Sequence, residues 1–369
     1  MINGDERHCV VTDVRSAAAL ARSDGAPDHR RRRLLTILSG VGVLVWAVYR
    51  SFPDTVPHLP TFERVSWGWP GLHVREKTAY LLSEPLGPIS YRLIGYRSVH
   101  VYVAVHAVAL VLAAGLLYLW FVRALGYERA TIAACVVLLA PITAVELSWL
   151  GIYDTFSLLT WVLLLFAMRG RPALQFAAAV AAGFQDFEQI VVALTLLWLV
   201  LPAFRRSPVR PTFAALFAGC AVGKVVVAAW LVAAHASSGS RWSWLTNATK
   251  MSHMLGADGA LAPYILWSGV AGLIGFLVQA LRHSWPGWGS RLRLRVGGAA
   301  VLWIVVQAVT DDHTRVLALT AFPVLVLGAV TVAERTTFVA LWRQPAWWLL
   351  VLTPPMVVWG HRLVVVGLA

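Results

Sequence analysis

Long apolar runs of about 15–24 residues fill this chain, and short basic clusters punctuate them. The clusters are Arg30 to Arg33, Arg123 with Arg129, Arg169 with Arg171, then Arg205, Arg206 and Arg210. They continue with Arg282, Arg291, Arg293 and Arg295, and end with Arg335 and Arg343. Runs of this length match the hydrocarbon thickness of a bilayer when helical, and nothing alternates with the period of two that a barrel requires. The pattern therefore predicts an all-α, polytopic helical membrane protein. Basic residues at span ends orient spans toward the cytoplasm, so the chain crosses an even number of times between consecutive basic clusters. Residues 130–168, 172–204, 211–281 and 296–334 each give two spans. Those near 34–50, 99–122 and 345–361 bring the count to about eleven, with the amino end inside. The last span is expected to kink at Pro354-Pro355.

The segment 172–204 is the tight case. Two spans and a turn within 33 residues leave each span only ~24 Å of helix against ~30 Å of hydrocarbon. Either the bilayer thins there, or the turn around Gln185 to Gln189 lies below the surface and lines a polar cleft.

Composition agrees with the pattern: 59% of the 369 residues are hydrophobic, only 13% are charged, and 18 are Trp. The formal charge of +13 sits at span ends, which argues against a nucleic-acid partner and for the lipid bilayer as partner. The three cysteines, Cys9, Cys135 and Cys220, have neither pair nor metal spacing. Residues 1–33, with seven Arg among Ser, Asp, Gly and Ala, read as a disordered cytoplasmic tail. Residues 34–369 read as one transmembrane domain, anchored by an uncleaved first span. The Ala-, Arg- and Val-rich composition suggests a bacterial inner membrane.

Two longer segments fall on the outer side. The first outer loop, 51–98, leaves the membrane at Ser51-Phe52-Pro53-Asp54. It mixes apolar and charged residues from Leu72 to Leu86, as a short interfacial helix would, and breaks at Pro85, Gly87 and Pro88. The second, 236–262, carries Arg241, Trp242, Trp244, Lys250, His253 and Asp258.

Polar chemistry gathers on that same side, in clusters that interrupt apolar runs. Asp54, just beyond the first span, is placed to serve as a general base, with a turn-forming Asp as the bland alternative; Glu63 and Glu76 are weaker rivals. Asp154 follows Gly151-Ile152-Tyr153 as an N-cap or a substrate contact. Asp186 and Glu188 diverge on a helix but can converge in a turn. A divalent cation there is conceivable, although the local oxygen count is short of a site, and no metal site or cofactor is assigned. Asp311-Asp312-His313-Thr314-Arg315 is the densest cluster: Arg315 suits a phosphate oxygen pair, His313 suits phosphate contact or proton transfer, and Asp311 and Asp312 can orient Arg315. Lys250 is a second candidate cation. Glu146 and the mid-span Lys224 are pathway residues under a transport reading.

A long first outer loop with an acid just after the first span, an interfacial helix within that loop, about eleven spans and acidic outer turns together resemble GT-C-type glycosyltransferases. The resemblance covers the layout of most of the chain, and Asp54 alone occupies a key position of the family. It implies transfer of a sugar from a polyprenyl-phosphate donor to a glycan or lipid acceptor on the extracytoplasmic face. Asp54 is then the catalytic base, and Asp154, Asp186, Glu188, Lys250, Asp311, Asp312, His313 and Arg315 are substrate contacts. The alternatives are a transporter or flippase of a lipid-linked or small polar substrate, and a non-catalytic assembly subunit.

Overall fold

The computed structural model describes residues 26–51, 54–71, 82–204, 207–236, 248–307, 310, 313–359 and 362–365. The chain is helical from Ala26, so 26–33 extends the first helix instead of belonging to a disordered tail. Helices α1 (Ala26–Ser51), α2 (Leu59–Gly68), α3 (Leu86–Ile94) and α4 (Val99–Leu125) come first. They are followed by α5 (Tyr127–Leu138), α6 (Pro141–Ser148), α7 (Asp154–Ala167), α8 (Pro172–Val200) and α9 (Phe213–Ala233). Next come α10 (Ala248–Val270), α11 (Ile274–Ser284), α12 (Ser290–Gln307), α13 (His313–Arg335), α14 (Phe338–Trp342) and α15 (Pro345–Leu352). A hairpin of β1 (Met356–Trp359) and β2 (Arg362–Val365) closes the described chain, with Met356 opposite Val365 and Trp359 opposite Arg362. Among the described residues, six helical segments are long and apolar enough to cross a membrane, with Pro172–Ala203 counted as one, or seven if the bent pair α5–α6 counts as one span. The protein is a helical membrane protein.

Helix α13 is the spine, buried on nearly every side from His313 to Ala333. Helix α4 shows why its neighbours pack as they do: Tyr102, His106, Ala109, Ala113, Leu117 and Trp120 recur at three- and four-residue intervals and form its buried face. Trp120, Trp161, Phe322 and Trp347 fill the main core. A second core of Val56, Phe62, Trp69, Tyr91, Tyr102, Trp149 and Tyr153 caps the end opposite the basic clusters. In the bilayer such contacts act through packing, because lipid is as apolar as the side chains. The closest packing joins α8 and α9, where a Cβ on Gly183 would lie 2.3 Å from the Cys220 carbonyl oxygen and one on Gly223 2.3 Å from that of Val180.

Residues 172–204 form the hairpin expected from the basic clusters. Asp186 has non-helical torsions, φ −154° and ψ 81°. Gln175, in the first arm, bonds to the Gly170 and Arg210 carbonyls and to the Thr212 amide at the basic end. Trp198, in the second arm, lies 5.7 Å beneath the Arg295 guanidinium. Trp303, further along α12, bonds the Leu317 carbonyl near the start of α13, which puts Arg295 about 12 Å closer to the basic end. A straight helix would carry Trp198 about 18 Å the other way, so the chain reverses at Asp186. Each arm, 172–185 and 187–200, is ~21 Å long. The reversal thus lies roughly 9 Å short of a full hydrocarbon crossing.

Three elements differ from expectation. The carboxyl-terminal span stops after eight residues at Leu352, because Pro354 and Pro355 end helix α15 where a kink was expected, and the hairpin replaces its upper half. Residues 248–262 of the second outer loop belong to helix α10. In the first outer loop the described helices are α2 and α3, and Pro88 sits inside the first turn of α3 instead of ending a helix. The interfacial helix expected over Leu72 to Leu86 falls mostly outside the described residues.

The prolines leave a further mark. Helix bonds run from N–H(i) to C=O(i−4), so Pro354 and Pro355 deprive the Leu350 and Val351 carbonyls of their donors. Arg50 donates to Leu350 O at 2.9 Å and Trp46 Nε1 to Val351 O at 2.8 Å. The two donors stand one turn apart on α1, matching the two orphaned acceptors. Arg50 also donates to Thr353 O and, where Pro141 ends α5, to Leu139 O. The Val137 carbonyl, orphaned by Pro141 itself, is taken up by Thr143 Oγ1 at 2.8 Å and by the Ala140 amide. Arg50→Met should therefore lower stability by on the order of 3 kcal/mol, as buried carbonyls lose donors, and Trp46→Phe by about 1 kcal/mol, since its bond to Val351 O lies on an exposed face; thermal melts in detergent or nanodiscs measure both.

Candidate functional site

The far-end cap is built by the first outer loop. Tyr91 of α3 donates to Glu63 Oε1 of α2 at 2.8 Å and accepts from the Ser98 amide. Arg97 bonds the same Glu63 oxygen at 3.2 Å. Glu63 is thus a clasp between helices and not a free acid. Burial, and then the Glu63 hydrogen bond, push the Tyr91 phenol up to about 12. The Leu86 amide then bonds Gln185 Oε1 at 3.0 Å, seating the loop on the Asp186 reversal.

Asp54 is exposed. Its amide donates to Leu147 O at 3.1 Å and its carbonyl accepts from Leu150 N at 3.0 Å, so the main chain is pinned on both sides. Its Oδ1 accepts from Thr55 N at 2.7 Å. Leu147 and Leu150 lie on the stretch that joins Glu146 to Asp154. Gly151, at φ +98°, turns that stretch back into α7, and Tyr102 fixes the turn by donating to the Gly151 carbonyl at 2.6 Å.

Beneath the turn sits a dry charge cluster. Arg315 is 1% exposed, Asp154 0% and Glu146 1%. Arg315 Nε lies 3.5 Å from Asp154 Oδ2, and its guanidinium stands 4.6 Å over the Tyr153 ring. Among the described residues, Asp154 and Arg315 are the charges near Glu146, and neither Glu146 carboxylate oxygen has a hydrogen-bond partner there. Two carboxylates thus share one guanidinium in a setting where charge is costly. His313 is fully buried at the head of α13. Thr314 donates to Ser268 Oγ at 2.6 Å and accepts from the Val358 amide at 2.8 Å.

Asp186 joins from below. It is 2% exposed, accepts from Ser157 Oγ at 3.4 Å, and caps the second arm through the Gln189 amide at 3.3 Å. Gln185 Nε2 donates to the Tyr153 carbonyl at 3.3 Å. Glu188 turns elsewhere: it pairs with Lys224 at 2.7 Å on a partly exposed face, with Lys224 also 5.7 Å from the Phe187 ring. The two acids of this turn therefore do not converge, although the chain does turn at Asp186: Asp186 is held by Ser157 and the Gln189 amide, and Glu188 by Lys224.

Of the residues singled out by sequence, Asp154 and Arg315 come together, Asp186 is linked to the same helix as Asp154 through Ser157, and Asp54 is tied to that stretch through the backbone; His313 is buried two residues before Arg315, a spacing at which helical side chains diverge. Lys250 lies near the start of α10, and Asp311 and Asp312 fall outside the described residues. No group of three or more His, Cys, Asp or Glu suited to a metal ion occurs among the described residues. Sequence reasoning gave Glu146 and Tyr153 too little weight. Their signal was position: each flanks the polar turn at 148–154. No protein-family model, curated protein or solved structure matches the chain.

Two outcomes follow. Arg315→Met should destabilise by about 3–5 kcal/mol, since it strands buried carboxylates, and the double variant Asp154→Leu/Arg315→Met should cost less than Arg315→Met alone; a double-mutant cycle of melts checks this. Tyr91 stays protonated in the fold at pH values where an unfolded Tyr ionises, so its contribution to stability is complete below about pH 10 and is lost as pH rises through about 12. Alkaline melts compared with Tyr91→Phe read that loss.

Proposed function

We propose that the protein is a membrane glycosyltransferase that takes a sugar from a polyprenyl-phosphate donor and passes it to a glycan or lipid acceptor at the far end of the bundle. The supporting observation is the placement of Asp54. Its main chain is pinned by two backbone bonds to the stretch that carries Glu146 and Asp154, and its exposed carboxylate accepts from the Thr55 amide. In this reading the basic clusters face the cytoplasm, the turns at Gly151 and Asp186 face outward, and the membrane is a bacterial plasma membrane.

Asp54 takes the proton of an acceptor hydroxyl. The acceptor oxygen bonds to the anomeric carbon, the bond from that carbon to the phosphate oxygen breaks, and the polyprenyl phosphate leaves with the electron pair. Arg315 is the cation assigned to the leaving phosphate. It lies closed under Tyr153 and beside Asp154, so this role requires the cluster to open. Asp186 and His313 shape the floor. Glu188 and Lys224 pair on another face and take no part in transfer.

One set of observations favours a second reading, a carrier or flippase of a lipid-linked substrate. Spans broken near the Arg50 level, with α5 and α6 bent by 63°, together with the buried charges and the Asp186 reversal, are features that carriers use to build sites.

Asp54→Asn should keep its melting temperature and lose transfer by about 10²-fold or more, assayed in nanodiscs against a panel of polyprenyl-phosphate sugars. Full turnover by the folded variant would remove the assigned base. Movement of the donor across proteoliposomes without transfer would select the carrier.

A further inference from the structure

Three chain breaks meet at one level of the bundle. The α5–α6 pair breaks at Leu139 and Ala140 before Pro141, with a 63° bend. The segment Leu261–Arg282 is interrupted by a 3₁₀ turn at Ala271–Leu273, where Ala271 carries φ +37°, strained for a residue with a Cβ. Helix α15 gives way at Thr353 to Pro354, Pro355 and β1. The breaks surround a small cavity lined by Leu139, Pro141, Ala271, Gly272, Thr353 and Pro355, with Arg50 at its wall. Arg50 is 9% exposed, and its Nε has no hydrogen-bond partner among the described residues. Empty space beside interrupted backbone is what a pivot needs and what a close-packed core otherwise denies.

Beyond that level lie three pieces that touch one another: α6 and β1 both contact residues of α10. Each also packs on α13, where Thr314 gathers the contact by bonding Ser268 of α10 and Val358 of β1. We propose that the level of Arg50 is a hinge about which α6, the part of α10 at 261–270 and β1 swing as one unit away from the head of α13, opening the Arg315–Asp154 pair to the far side. Arg50 pins the closed form, because its bonds reach the break in α5–α6 and the end of α15 at once. The Ser268–Thr314–Val358 chain is the contact that parts. The inference applies to transferase and carrier alike, since both need the buried pair reached.

The test uses the full chain in nanodiscs with Tyr153→Cys as reporter and a charged, membrane-impermeant thiol reagent. Adding Ser268→Cys and Thr314→Cys and oxidising them ties the moving unit to α13. Modification of the reporter should then slow by about tenfold or more, and a reductant should restore it. Arg50→Lys, which cannot reach all three carbonyls, should speed modification by about tenfold. Failure of the pair to oxidise, or a reporter rate unchanged by the disulfide, overturns the hinge. An unchanged rate in an Arg50→Lys protein that melts normally overturns the pinning role. If Arg50→Lys does not fold, the disulfide arm decides alone. Loss of transfer in Asp54→Asn bears on neither arm.

Discussion

A backbone carbonyl inside a bilayer has no water to turn to, and that constraint organises this molecule. Prolines at 354 and 355 strip donors from the Leu350 and Val351 carbonyls at the depth of Arg50. The first helix returns them from Trp46 and Arg50. The charge is accounted for as well. Each helix C-terminus carries roughly half a negative charge, and α5 and α15 both end on this guanidinium. A buried cation that pairs with no carboxylate among the described residues is therefore balanced by two helix ends. Substrate carriers use unwound carbonyls to hold a free ion; here a tethered guanidinium occupies an equivalent setting.

The far-end cluster is balanced differently. Arg315 faces Asp154, and Glu146 lies within reach of both charges, so that the described residues bury three ionisable groups together. Such a group stabilises little by itself and punishes the loss of any member, so its presence under the polar turn is better explained by chemistry done there than by the needs of folding. The described parts of the outer loop are tied down at that end: helices α2 and α3 are clasped through Glu63, Tyr91 and Arg97, and Leu86 rests on Gln185.

The helical membrane class and the polar turns were legible in the sequence, because bilayer thickness and the basic clusters constrain them strongly; against the expected count of about eleven spans, the described residues contain six or seven helices of spanning length. The reversal at Asp186 followed from arithmetic on 33 residues alone. The convergence of Asp154 with Arg315 was expected only as a shared side of the membrane, since hydropathy fixes depth and not azimuth around the bundle. The role of Arg50 was missed. An arginine at a span end reads as a topology mark, and the paired prolines some 300 residues later read as a kink; only packing reveals that one answers the other. Helix α3 was missed because Pro88 reads as a breaker, although a first-turn proline costs a helix nothing.

The short arms at Asp186 bear on the surrounding lipid as well as on the site. A hairpin of ~21 Å set among longer helices presents the membrane with a step in hydrophobic height. Bilayers meet such mismatch by dimpling, at a fraction of a kcal/mol per Å. Head groups beside α8 and α9 are then drawn down toward the reversal, so an amphiphile diffusing in that leaflet would find its polar end lowered to the depth of the buried acid before touching it. The same step would favour residence in thinner membranes over thicker ones.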